Sequence, residues 1–339
     1  MKHLLAILSL FSVLSCSTYR HFENPVIRQD WADPTAIYDD ATGYYYSIST
    51  GVNKPFFRSK DLCLWEKTDI KPYSDSAILK MKSSGPHIWA PQFAKIGNNY
   101  LIYVTVRSSA EDSRIIVLSS KTLTGPYEFA NILTDSRETG IKDTIDPFAF
   151  TDPQTGKVWM TFGSIGGIHQ VELSPDGLSL AKNAEYKHIA GQDIDNDKSR
   201  LTVFEGSYVY ERNGWWYLFA SAGRYEDYSY AIVVGRSRKA DGPFLTKEGK
   251  DMAEGYGTAI LSSSPYDRFY GPGHNGEIFT TKNGETYMIY HVHEGDYRED
   301  RNKRKSSPRM MNLQQIYWDD NGWPFFKHDE ISGGRIRIR

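Results

Sequence analysis

The chain has 339 residues, and its 40 Lys and Arg nearly balance 42 Asp and Glu, for a formal net charge of −2. So even a balance argues against nucleic acid or an anionic membrane surface as a partner. The 23 Tyr, 16 Phe and 8 Trp suit either β-sheet packing or stacking on sugar rings, which composition alone does not separate.

The N-terminus reads MKHLLAILSLFSVLSCSTYR. Lys2 and His3 precede an apolar run from Leu4 to Leu14, too short to cross a bilayer as a mature helix. The run ends at Leu14-Ser15-Cys16 and looks like a bacterial lipoprotein signal over residues 1–16. Cleavage would leave Cys16 as a lipidated N-terminus; an ordinary signal peptide with a nearby Cys is the alternative. The protein is therefore expected to be exported and lipid-anchored to the bacterial outer membrane, periplasmic or at the cell surface, touching membrane only through that anchor. With Cys16 so assigned only Cys63 remains, which leaves no intramolecular disulfide and puts the burden of stability on a large core.

An aromatic strand then recurs: GYYYSIST (43–50), NNYLIYVTV (98–106), GKVWMTFGS (156–164), NGWWYLFAS (213–221) and GETYMIYHV (284–292). Each follows a turn signal and is rich in strand-forming residues. Each also has an upstream partner: ADPTAIY (32–38), APQFAKI (90–96), DPFAFTD (146–152), EGSYVYE (205–211) and HNGEIFT (274–280). Further strands such as RIIVLSS (114–120) and YAIVVGRS (230–237) run into TGP or DGP turns. The repeat predicts an all-β chain, a single five-bladed β-propeller over residues 22–339, with no long amphipathic helix competing.

The first strand of each propeller blade lines the central axis, so its polar end opens at the channel mouth. Those positions hold Asp33, Ala90-Pro91, Asp146, Glu205 and His274. Carboxylates converging on one cleft push each other's pKa values apart, so that one stays protonated while another stays ionised. That division is what inverting cleavage of a glycosidic bond requires, an acid on the leaving oxygen and a base on the attacking water. Glu205, with the longer reach and apolar Val203-Phe204 before it, is the expected acid, and Asp33 the expected base.

WADPTAIY, WAPQF, IDPFAF, VFEGSYVY and GPGHNGEIF, in that order, resemble the blade-opening motifs of family 43 of the glycoside hydrolases, and MNLQQIYWDDNGWP (311–324) resembles its last strand pair. The resemblance spans nearly the whole mature chain. It implies a five-bladed propeller and arabinanase, arabinofuranosidase or β-xylosidase activity. It places the general base at Asp33, the general acid at Glu205, and a pKa-tuning, orienting carboxylate at Asp146. It also implies that His274 ligates a calcium ion in the central channel, mostly through waters; no organic cofactor is expected. The sequence departs from arabinanases at Ala32, where they carry His, and at FEGSY, where they carry EAP or EGP, which opens the questions of substrate and of endo or exo action.

The leading expectation is an inverting glycoside hydrolase of the arabinan α-1,5-L-arabinosidase type acting on plant polysaccharide or oligosaccharides. A β-xylosidase or α-L-arabinofuranosidase is the alternative, and a non-catalytic glycan-binding propeller the second. A retaining, invertase-like enzyme would carry Arg before the middle Asp, where this chain has Ile145. Trp89 and Trp31 are candidate sugar platforms, and Ser164 a candidate donor to a sugar hydroxyl. His291 and His293 read as structural, Asp39-Asp40 and Asp152-Pro153 as turns, and the run 296–309, Arg309 included, as a solvated loop.

Overall fold

The computed structural model describes residues 19–192, 203–299 and 307–337; Cys16 lies outside them. Five antiparallel sheets follow one another along the chain as the blades of a β-propeller. Blade 1 is Thr35–Asp39, Tyr44–Ile48, Phe57–Ser59 and Glu66–Lys67; blade 2 is His87–Ile96, Asn99–Ser109, Asp112–Ser120 and Glu128–Asp135. Blade 3 is Phe148–Thr151, Val158–Ser164, Gly167–Leu173 and Lys187–Ala190, and blade 4 is Phe204–Arg212, Trp215–Ala222, Ala231–Ser237 and Thr258–Leu261. In blade 5, Phe269–Gly273 and Ile278–Thr280 both pair with Thr286–Glu294, followed by Arg309–Trp318 and Pro324–Phe325.

The second strands explain the aromatic repeat. Each is sandwiched between neighbouring blades, so both of its faces are buried and its sequence reads as a continuous apolar run rather than an alternation. Trp216, Tyr217, Leu218, Phe219 and Ala220 are all buried in succession, as are Leu101 to Val104. The core accordingly lies between blades rather than at one centre: Phe148, Tyr208 and Phe219 share one cluster, Ile102, Ile116 and Tyr127 a second, and Tyr103, Met160 and Phe162 a third.

Tyr19–Glu23 pairs with Gly333–Arg337 in a separate two-stranded sheet beside the five blades, joining the two ends of the described chain. A helix, Asp75–Ser84, was not expected. Ser74 caps it by accepting from the Ala77 N–H, and it buries Ala77 and Met81 against blade 2.

At each channel mouth the chain takes one left-handed residue. Asp33, Ala90, Asp146 and His274 have φ of 53°, 43°, 57° and 40°, and in blade 4 the position is held by Gly206 at 57°. Such a conformation costs a residue with a Cβ roughly 1–2 kcal/mol. It is held by donating the residue's N–H to the neighbouring blade: Ala90 to Thr50 Oγ1 at 2.8 Å, Asp146 to Thr105 Oγ1 at 2.9 Å, His274 to Ser221 Oγ at 2.7 Å, and Asp33 to His291 Nδ1 at 3.2 Å. The expected equivalence of the mouth residues therefore holds for Asp33, Ala90, Asp146 and His274. Glu205 sits one residue earlier, because in blade 4 the left-handed position must be glycine: a Cβ on Gly206 would lie 3.0 Å from His274 Cγ.

Candidate active site

Asp33, Asp146, Glu205 and His274 meet at the mouth. The His274 Nδ1 lies 3.3 Å from Asp33 Oδ1 and 3.6 Å from Asp146 Oδ2. The Gly206 N–H, directly after Glu205, donates to Asp146 Oδ2 at 3.1 Å, so Asp146 fixes the backbone that carries Glu205.

The surroundings of the carboxylates differ. Asp33 accepts from Thr50 Oγ1 at 2.6 Å and pairs with Arg309 Nη1 at 2.8 Å. Burial alone would raise its pKa, but Arg309, His274 and the His291 contact together hold it well below the usual carboxylate range. Glu205 has no cation against it. Its Oε1 accepts from the Tyr230 hydroxyl at 2.7 Å and its Oε2 from Ser164 Oγ at 2.8 Å. Burial raises its pKa, the two hydroxyls pull it down, the Asp33 charge raises it and the more distant Arg309 lowers it; the net direction is up. Asp146 is pushed well above its ordinary value by burial, then by Glu205 and Asp33.

Two neutral rings complete the frame. Burial pushes His291 down to about 3 and also lowers His274. His291 Nδ1 lies 3.2 Å from the Asp33 N and 3.3 Å from Asp33 Oδ1, and its Nε2 is buried without a partner among the described residues. The His291 ring stacks on Tyr230 at 5.8 Å and 8°, so the ring that holds the Asp33 backbone also backs the tyrosine that holds Glu205. Tyr230 in turn packs on Gly273, where a Cβ would meet the ring at 2.0 Å.

Four residues read from the sequence take other positions. Trp31 is fully buried, its Nε1 donating to Ser47 Oγ at 2.9 Å and its ring against Phe57 at 4.6 Å, which leaves no face for a sugar. Ser164 is committed to Glu205. His291 and Arg309, read as structure and as loop, both contact Asp33. Trp89 is half-buried, with the Arg107 guanidinium 5.3 Å from its ring centroid and the His87 ring stacked on it at 5.2 Å. The signal for His291 was present: it stands toward the mouth in its second-strand segment as Thr50, Thr105 and Ser221 do in theirs, and like them it accepts a mouth N–H. Arg309 carried no local signal.

Calcium takes six to eight oxygen ligands. Among the described residues no group of three or more His, Cys, Asp or Glu converges to hold an ion, and His274 Nδ1 faces two carboxylates of the mouth. An ion beside His274 would therefore take its oxygen ligands mainly from water.

An ionised carboxylate beside two raised ones, in a propeller mouth, is a glycosidase arrangement, and comparison with known proteins agrees. The profile of Glycosyl hydrolases family 43 matches residues 22–324. The chain is 28% identical to the extracellular exo-alpha-(1->5)-L-arabinofuranosidase ArbA of Cellvibrio japonicus, over 89% of this chain and 88% of the relative. It is 28% identical to the probable arabinan endo-1,5-alpha-L-arabinosidase C of Aspergillus niger, over 87% and 91%. Among solved structures, the Cellvibrio cellulosa alpha-L-arabinanase complexed with arabinohexaose superposes with a TM-score of 0.75 at 27% identity, covering 89% of this chain and 97% of that one. With the profile running from the first core strands into the last blade, the chain belongs to family 43 of the glycosyl hydrolases.

Proposed function

We propose that this glycoside hydrolase cleaves α-1,5-linked arabinan or its oligosaccharides with inversion of configuration. The observation that carries the reading is the split between two neighbouring carboxyls, Asp33 held ionised by its direct pair with Arg309 and Glu205 raised by burial with no cation paired to it. Glu205 gives its proton to the leaving glycosidic oxygen as the C–O bond breaks. Asp33 takes a proton from the water that attacks the anomeric carbon from the opposite face. The step leaves Glu205 ionised and Asp33 protonated, and exchange with solvent resets both. Asp146 holds the backbone of Glu205 through Gly206. Trp89 offers a sugar platform.

The arabinan assignment draws on the printed activities of the relatives. It favours arabinan over xylan, and their names include both exo and endo action. Product profiling on linear arabinan, branched arabinan and xylan tests it. Arabinose or arabino-oligosaccharides from linear arabinan are the expected products; release from xylan alone would overturn the substrate. NMR of the first-formed anomer tests inversion, since retained configuration would demand a nucleophile.

The signal-like N-terminus supports export with lipid on Cys16. Incorporation of labelled palmitate into the wild type, and its loss with release from the membrane in Cys16→Ala, is the expected result; an unlabelled wild type would contradict it.

A further inference from the structure

We infer that Tyr225 is a specificity-determining residue of the mouth, an aromatic wall against which the sugar at the reacting centre packs. It lies in the loop of blade 4 between Trp215–Ala222 and Ala231–Ser237. Its neighbour is the cation that holds the base. The Arg309 guanidinium pairs with Asp33 at 2.8 Å and lies 4.8 Å from the Tyr225 ring centroid, within the range of a cation–π contact. One guanidinium thus separates the ring from the carboxylate that activates water. The Tyr225 phenol also feels both reacting carboxyls: burial raises its pKa first, then the Glu226 charge, Arg309 lowers it, and Glu205 and Asp33 raise it.

The ring keeps open surface that its neighbours lack. Trp31 and Tyr230 are buried, and the Tyr230 hydroxyl is given to Glu205. Tyr225 is 41% exposed with Arg309 against it, and its hydroxyl has no hydrogen-bond partner among the described residues. The loop holds that surface in place. The Tyr225 carbonyl lies 2.8 Å from His293 Nε2 in blade 5, and Asp227 Oδ1 accepts the Ser229 N–H at 2.8 Å. The Asp227 carbonyl rests on Gly271, where a Cβ would come within 2.8 Å of it. A ring fixed before the substrate arrives adds little ordering cost on binding. A sugar offers C–H groups to such a ring and hydroxyls to its phenol, both ends of an amphipathic side chain being used.

The inference rests on the proposed hydrolysis and deepens it, so the test reads binding apart from turnover. Arabinotriose and xylotriose are titrated calorimetrically into Glu205→Gln protein, which leaves them uncleaved, with and without a substitution at Tyr225. Tyr225→Ala should weaken the sugar that binds about tenfold. Tyr225→Phe keeps the ring and should stay within about threefold, the loss of one hydrogen bond. In the otherwise wild-type enzyme, Tyr225→Ala should act mainly through KM, as a lost ground-state contact does. Tyr225→Leu, which keeps bulk without an aromatic face, replaces Ala if that variant does not fold. An unchanged dissociation constant in the Ala or Leu protein would overturn the inference. So would a loss carried by kcat alone, the signature of a ring that only steadies Arg309, or an absence of binding by either sugar. Failure of the arabinan reading appears separately, as wild-type enzyme that leaves linear arabinan unconsumed while xylotriose binding still depends on Tyr225.

Discussion

Blade 1 and blade 4 deliver carboxyl groups to the same mouth from opposite surroundings. Asp33 occupies the left-handed position, with Arg309 on one oxygen and Thr50 on the other. Glu205 sits one residue ahead of that position, between the hydroxyls of Tyr230 and Ser164. Burial penalises the charge on both. Arg309 lowers both but pairs directly only with Asp33, so the placement of one guanidinium separates base from acid. The same contrast decides what each costs the fold. The depressed Asp33 contributes stability that is present above the pKa of an unfolded Asp and lost as pH falls through its folded value. The raised Glu205 and Asp146 work the other way, their ionisation opposing folding as pH rises past the ordinary carboxylate range.

The largest expected effect is on turnover: Asp33→Asn and Glu205→Gln should each lower kcat/KM on linear arabinan by about a thousandfold, and near-normal turnover by either would remove that residue from the chemistry. Their stabilities should then part. Asp33→Asn leaves Arg309 without its partner and should cost about 3 kcal/mol. Glu205→Gln removes a carboxyl that burial disfavours and should gain about 1 kcal/mol, as site residues often do when neutralised. Thermal unfolding at neutral pH checks the pair, and shifts of the same sign would break the contrast. A smaller effect follows Arg309→Met, an order ten- to a hundredfold loss in kcat/KM with the acid limb of the pH profile moved upward. The smallest is Tyr230→Phe, about fivefold, with the alkaline limb moved upward because a hydroxyl that favoured the ionised Glu205 is gone.

The blades were legible because buried second strands must be apolar on both faces, which wrote GYYYSIST, NGWWYLFAS and GETYMIYHV into the chain. Asp33, Asp146 and His274 were legible because each opens a blade at the same place. The one-residue offset of Glu205 was hidden, since it depends on His274 crowding Gly206 from the next blade. Trp31 read as a sugar platform from its place beside Asp33; its burial depends on Phe57 and Ser47 of a neighbouring strand pair. Arg309 reaches Asp33 across nearly the whole chain, and Tyr230 comes from a third strand, so neither partnership has a local pattern. Nor did the helix at 75–84, whose burial is confined to Ala77 and Met81.

The central claim is that environment alone divides base from acid, and the pH dependence of kcat/KM tests it most directly. The wild type should give a bell whose acid limb belongs to Asp33 and alkaline limb to Glu205. Arg309→Met should move the first upward further than the second, since the guanidinium also lowers Glu205 but as the smallest of its influences. Tyr230→Phe should move only the second, also upward. A Tyr230→Phe profile displaced on its acid limb, or an Arg309→Met profile displaced more on its alkaline limb than on its acid limb, would contradict the assignment.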